Sequence, residues 1–163
     1  MGANSIAHGI VAISAPGSGM FPGNANYSIG LARLLNEWVA ALVRSYPERF
    51  SFYAVMPLPY SDAAVKEARY ALEHLRAKGV ALLSNHEGLY LGNAVMRPFF
   101  AGLNGLRGTS KEVVYVHPTE PVLRLGNGTS ISANPSKLLS FLSSHLSYFL
   151  IASTPHTHCI RVG

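Results

Sequence analysis

The feature that most constrains this chain is the regular alternation of short β-branched runs with longer stretches of helical periodicity. Ile10–Ser14, Phe50–Met56, Val80–Leu83 and Val113–Val116 read as strands. Between the first two, Leu31, Leu34, Leu35, Trp38, Val39 and Leu42 recur at helical spacing, so they are expected to form one apolar face. The second helix is expected to bury Val65, Ala68, Leu72 and Leu75. Asn24 or Asn26 can cap the first helix and Ser61 the second, and Gly79 stands where a helix ends. Ser84–Gly92 is expected to be a loop. A third helix over Ala94–Leu106 is weakened by Pro98 and Gly102. The order β-α-β-α-β-α-β with short connections predicts an α/β fold with a parallel sheet and right-handed crossovers. Four such units make either an open doubly wound sheet or half of a (β/α)8 barrel. No Gly-x-Gly-x-x-Gly follows a strand and no phosphate loop is present, which disfavours the nucleotide-binding version.

Composition narrows the chemistry. The chain has 163 residues, enough for one domain with a core. Hydrophobic residues reach 48% against 13% charged, so some apolar surface is expected to be covered by further chain or a partner. The net charge is +5, but Lys and Arg are scattered and do not interleave with aromatics, so no nucleic-acid partner is expected. Carboxylates are scarce, and Asp62 is the sole aspartate. A single cysteine, Cys159, excludes an internal disulfide and zinc-ribbon spacing. No secretory leader or bilayer-length apolar run is evident, so no membrane partner is expected and the cytoplasm is the default compartment. From about Leu138 the chain becomes rich in Ser and Leu, with no charge between Lys137 and Arg161 and no amphipathic period. The expected division is therefore a (β/α) domain over 1–135 and a divergent tail over 136–163.

The candidate chemistry lies where strands end, since parallel α/β sheets carry their sites there. His117 closes the fourth strand, and Pro118 stops it. A neutral imidazole in that position can bind a divalent metal, although a merely hydrogen-bonded strand-end histidine is the commoner case. His86 follows the third strand and opens onto the same end, where it can bind substrate or donate a proton. An exposed loop histidine is the plainer reading. Glu87 and Glu120 share those two loops. Phe21, in the loop Pro16–Asn24, can pack on an aromatic substrate, although a βα connection needs only its glycines and prolines. Ser18 is flanked by glycines but lacks the strand-to-helix context of a nucleophile elbow. His156 and His158 are spaced to chelate on a strand, but they lie in the anomalous tail.

A set of fragments carries a family resemblance: Ile13-Ser-Ala-Pro-Gly17, Phe21-Pro-Gly23, Leu34 to Asn36, Tyr46-Pro-Glu-Arg-Phe50, Pro57-Leu-Pro59, Leu83-Ser-Asn85, Tyr90-Leu-Gly92 and Val116-His-Pro-Thr119. In this order they resemble the aminocarboxymuconate-semialdehyde decarboxylase-like branch of the metal-dependent amidohydrolase superfamily, with the nearest likeness to fungal 6-methylsalicylate decarboxylase-like proteins. The resemblance implies a partial TIM (β/α)8 barrel, a divalent metal (Zn or Mn), and non-oxidative decarboxylation of a small aromatic carboxylic acid. Some relatives hydrolyse instead. It implies that His117 is a metal ligand. No family role follows for His86, which is outside the ligand pattern, so Phe21 and His86 stand as candidate substrate-binding residues from their positions in the chain. The family's early His-x-His pair, its later catalytic histidine and its aspartate have no counterpart, so truncation at both ends is expected. One histidine cannot close a catalytic metal site. The chain by itself is therefore expected to be inactive, and to self-associate or pair with a full-length homologue to cover its open edges.

Overall fold

The computed structural model describes residues 6–106, 113–124, 126–132 and 150–152. Four parallel strands form its centre: β1 (Gly9–Ala12), β2 (Phe50–Val55), β3 (Gly79–Leu83) and β6 (Val113–His117). The sheet order is β6-β3-β2-β1-β9, where β9 is Leu150–Ala152. Helix α1 (Ala25–Ser45) links β1 to β2, and α2 (Ser61–Glu73) links β2 to β3. A short 3-10 turn (Ala94–Met96) and α3 (Arg97–Gly105) precede β6. Pro98 falls in the first turn of α3, where a missing N–H costs nothing, so it starts the helix and does not break it.

All three helices pack on one face of the sheet. The core joins Phe52, Ala54, Val80 and Leu82 from the strands to Val39, Ala40, Ala64, Ala68, Met96, Phe99 and Leu103. The strand period of two sends Tyr53, Val55, Ala81, Leu83, Tyr115 and His117 to the opposite face. There the Tyr53 and Tyr115 rings stack at 5.9 Å, across the small Ala81. A parallel sheet with helices on one side and chemistry-bearing residues at its strand ends is half of a (β/α) barrel, and the predicted α/β class holds.

Three details differ from the sequence reading. The stretch Ser84–Gly92 contains a hairpin, β4 (Asn85–His86) with β5 (Leu89–Tyr90), turned by Glu87 and Gly88 at φ +52° and +75°. Two successive positive φ values match the twist of a two-residue hairpin turn. A second hairpin pairs β7 (Val122–Arg124) with β8 (Ser130–Ser132). The first helix is rotated from its expected face. It buries Ser28, Ala32, Asn36, Val39 and Ala40, whereas Leu34 and Trp38 are 64% and 54% exposed.

The cause of the rotation is a buried polar clamp. β1 pairs with β2 only as far as Tyr53, so the next stretch of the β2 edge lacks a strand partner. Asn36 supplies one with its carboxamide. Its Nδ2 donates to the Val55 carbonyl at 2.9 Å, and its Oδ1 accepts from the Val55 N–H at 2.8 Å. Nδ2 also donates to Glu67 at 2.8 Å, and Arg33 pairs with the other Glu67 oxygen at 2.9 Å. An unpaired buried carboxylate or amide would be costly, so these bonds fix the rotation of α1 more firmly than its leucines do.

The tail boundary at 135/136 lies outside the described residues, as do His156, His158 and Cys159. Leu150–Ala152 forms β9, antiparallel to Gly9–Val11, and so closes the β1 edge of the sheet. Among the described residues no helix is long and apolar enough to cross a membrane.

Candidate active site

The C-terminal ends of β2, β3 and β6 border an open cleft of about 310 Å³. Its apolar lining comes from Pro16, Leu58, Leu83 and Val122, and its polar lining from Asn85, His86, Glu87, Thr119 and Glu120. Among the described residues no Lys or Arg lines it, and the charged groups that do are carboxylates.

His86 is buried, at 5% exposure, which corrects the plainer reading of an exposed loop histidine. The hairpin folds its ring back so that Nε2 accepts the Leu83 N–H at 3.2 Å. An accepting Nε2 carries no proton, so the ring is the Nδ1–H tautomer. Burial drives its pKa down to about 4, and the ring is neutral at pH 7. Within the cleft it is a neutral hydrogen-bond donor. Beside it the Tyr60 hydroxyl donates to Glu87 at 2.9 Å. Burial and that carboxylate raise the Tyr60 pKa and keep the phenol protonated.

His117 is partly buried at the end of β6, in register with Leu83. The Ser84 N–H donates to its carbonyl at 2.9 Å, extending the ladder one step. Its ring Nδ1 lies 2.6 Å from the Pro118 carbonyl, which makes Nδ1 the donor there, and among the described residues no hydrogen bond engages Nε2. The segment beyond is tied to the β3 end. Ser84 Oγ and Asn85 Nδ2 reach Thr119 Oγ1 at 2.9 and 2.7 Å, Asn85 also donates to the Glu120 carbonyl at 2.9 Å, and Thr119 N–H donates to Ser84 Oγ at 3.0 Å. These ties hold the two strand ends together at the cleft.

The structure therefore brings His86, Glu87 and Glu120 into one cleft, with His117 on the neighbouring strand end. It does not bring Phe21 there. That ring is outside the cleft lining and packs on Tyr27 with centroids 5.2 Å apart. Ser18 is a buried structural residue: its hydroxyl donates to the Met56 carbonyl at 3.0 Å. Sequence reasoning missed Asn85 and Thr119 as organisers of the site, although each stands within two residues of a strand-end position. Among the described residues no three His, Cys, Asp or Glu side chains converge to hold a metal ion. His117 fits as one ligand, and the described residues do not complete a set.

Helices on one face of a parallel sheet and polar groups at its strand ends fit a (β/α) barrel type of architecture. The amidohydrolase family pattern (Amidohydro_2) matches residues 5–149, and the chain belongs to that family. It is 40% identical over 116 residues to a 6-methylsalicylic acid decarboxylase of Penicillium expansum, covering 69% of this chain and 34% of that protein. The 2,6-dihydroxybenzoate decarboxylase from Rhizobium superposes with TM-score 0.67 at 27% identity, over 79% of this chain and 39% of that one. A 5-carboxyvanillate decarboxylase from Novosphingobium aromaticivorans, solved with bound manganese, gives TM-score 0.66 at 24% identity, over 73% and 33%. The chain thus spans about a third of the length of the curated relatives it matches.

Proposed function

We propose that this chain carries part of the site of a metal-dependent, non-oxidative decarboxylase acting on a small aromatic carboxylate of the 6-methylsalicylate kind. One observation carries the reading: His117 ends a parallel strand with Nδ1 tied to the Pro118 carbonyl and Nε2 without a hydrogen-bond partner among the described residues, beside a cleft of the right size for one aromatic ring. The charge of the cleft agrees. Glu87 and Glu120 would repel a carboxylate, and among the described residues no lining side chain offers a cation, so a divalent ion is the natural counter-charge. His117 would hold such an ion, Zn or Mn, which would supply Lewis-acid chemistry toward a substrate carboxylate. His86 contributes a neutral N–H to a substrate oxygen. Its depressed pKa suits a positioning donor and not a proton-delivering acid at pH 7.

The test is carbon dioxide release from 6-methylsalicylate with Mn²⁺ or Zn²⁺, by this chain and by the product of its native transcript read across both ends. The reading predicts release by a product that completes the ligand set, loss of release in His117→Ala, and none by this chain alone. Ester or lactone hydrolysis without carbon dioxide release would overturn it in favour of a hydrolase on the same scaffold.

A further inference from the structure

Glu87 occupies a backbone position that its side chain does not favour. It stands at φ +52°, followed by Gly88 at +75°, in the two-residue turn of the β4–β5 hairpin. Asn, Asp or Gly is the usual first residue of such a turn, because longer side chains are strained in the left-handed region. Here the strain accompanies a fixed placement of the carboxylate. The turn is held from two sides. On one side the hydroxyl of Tyr60, the residue before α2, donates to Glu87 Oε1 at 2.9 Å. On the other, the Tyr90 hydroxyl of β5 donates to the Val122 carbonyl at 3.2 Å and accepts the Val122 N–H at 3.0 Å. Tyr60 is itself pinned. Its N–H donates to the Pro57 carbonyl at 3.1 Å, and its carbonyl accepts the Ala64 N–H at 2.9 Å. The result is a carboxylate in the cleft lining with Oε1 engaged and Oε2 without a partner among the described residues.

Resting on the reading that an aromatic ring occupies this cleft, we infer that Glu87 is a specificity-determining residue. It accepts a hydrogen bond from a hydroxyl on that ring and turns away a second carboxylate there. The neighbouring side chain decides between the possible groups. His86 lines the same cleft, is buried, and has its Nε2 taken by the Leu83 N–H, so it offers only its Nδ1 donor. A substrate group within reach of both residues meets one donor and one acceptor. An ammonium would satisfy Glu87 but leave the buried His86 N–H unpaired, which is costly. A carboxylate would accept from His86 but face a like charge on Glu87. An ether oxygen accepts but cannot donate. A hydroxyl serves both, donating to Oε2 and accepting from Nδ1. The selected class is a monocarboxylate whose ring directs a hydroxyl at the β4–β5 turn, and ring dicarboxylates are disfavoured.

Amide NMR of the full chain, titrated without metal with phenol, anisole and benzoate in turn, tests the inference. Phenol is expected to shift the amide signals of residues 85–88 and Thr119. It should bind about tenfold tighter than anisole, which carries the same ring without a hydroxyl, and about tenfold tighter than benzoate. Glu87→Asn relieves the turn and withdraws the acceptor, so the hairpin should persist while phenol and anisole become equal. Glu87→Gln keeps a neutral acceptor in place, so most of the preference for phenol over anisole should remain while the penalty on benzoate shrinks. Tyr60→Phe should lower the preference for phenol severalfold, because the carboxylate loses its anchor. A merely structural role for Glu87 would move all three affinities together. Equal binding of phenol and anisole, or a preference that Glu87→Asn leaves intact, overturns the inference alone, since carbon dioxide release decides the decarboxylase reading separately. Cleft signals that none of the three ligands moves overturn the aromatic cleft and the inference with it.

Discussion

At the scale of single residues, His86 shows how folding assigns a role that its letter leaves open. Asn85-His86-Glu87 in sequence gives a loop with three polar side chains. The hairpin buries the imidazole and points its Nε2 at the Leu83 N–H. Its protonation then works against the fold. The unfolded ring takes up a proton near pH 6.5 and the native one only near 4, so between those values the unfolded state binds more protons. The stabilisation by neutral His86 is therefore full above about pH 6.5 and is lost as pH falls toward 4. The difference approaches about 3 kcal/mol. In thermal melts from pH 7 to 4, His86→Gln should flatten the decline relative to wild type while lowering the melting temperature at pH 7. Parallel profiles for the two proteins would show that His86 does not carry the proton linkage.

At the scale of elements, much of the architecture was legible because apolar periodicity and Pro/Gly punctuation agree. Four parallel strands and three helices stand within a few residues of their expected places. The hairpin at Asn85–Tyr90 was not legible, since its strands are two residues each and its turn puts a glutamate at positive φ. The burial face of α1 was misread because leucine periodicity competes there with a buried asparagine, and one Asn in a helix gives no outward sign that it will complete a sheet edge. Of the candidate site, the two strand-end histidines were legible from the pattern of strand followed by imidazole. Phe21 was not separable from a rim residue, because an apolar loop tip reads the same whether it faces a cleft or solvent. Gly102 shows a constraint the pattern hides. It was read as a weakness in α3, yet a Cβ there would come within 2.5 Å of Val65 Cγ2 on α2. The absence of a side chain lets α2 and α3 approach closely. Gly102→Ala should therefore destabilise the fold by about 1–3 kcal/mol despite the better helix propensity of Ala. Combining it with Val65→Ala should restore part of that loss in urea denaturation. A stabilising Gly102→Ala would mean that the helices can separate at no cost.

At the scale of the whole molecule, the described residues amount to half of a barrel. The helices cover one face, β9 closes one edge, and the strand ends gather the polar groups. The chain belongs to the amidohydrolase family and spans about a third of the length of its curated relatives. The division of labour follows. Asn36 and Glu67 set the helix packing, Ser84, Asn85 and Thr119 hold the strand ends together, and His117 presents its Nε2 beyond them. The central claim is that His117 is a metal ligand. Among the seven histidines of the chain, Mn²⁺ titration followed by NMR of the imidazole resonances distinguishes it directly. Substoichiometric Mn²⁺ is expected to broaden selectively the His117 ring signals and those of the adjoining cleft, and His117→Ala to abolish the effect. Broadening centred on another histidine and unchanged in His117→Ala would contradict it.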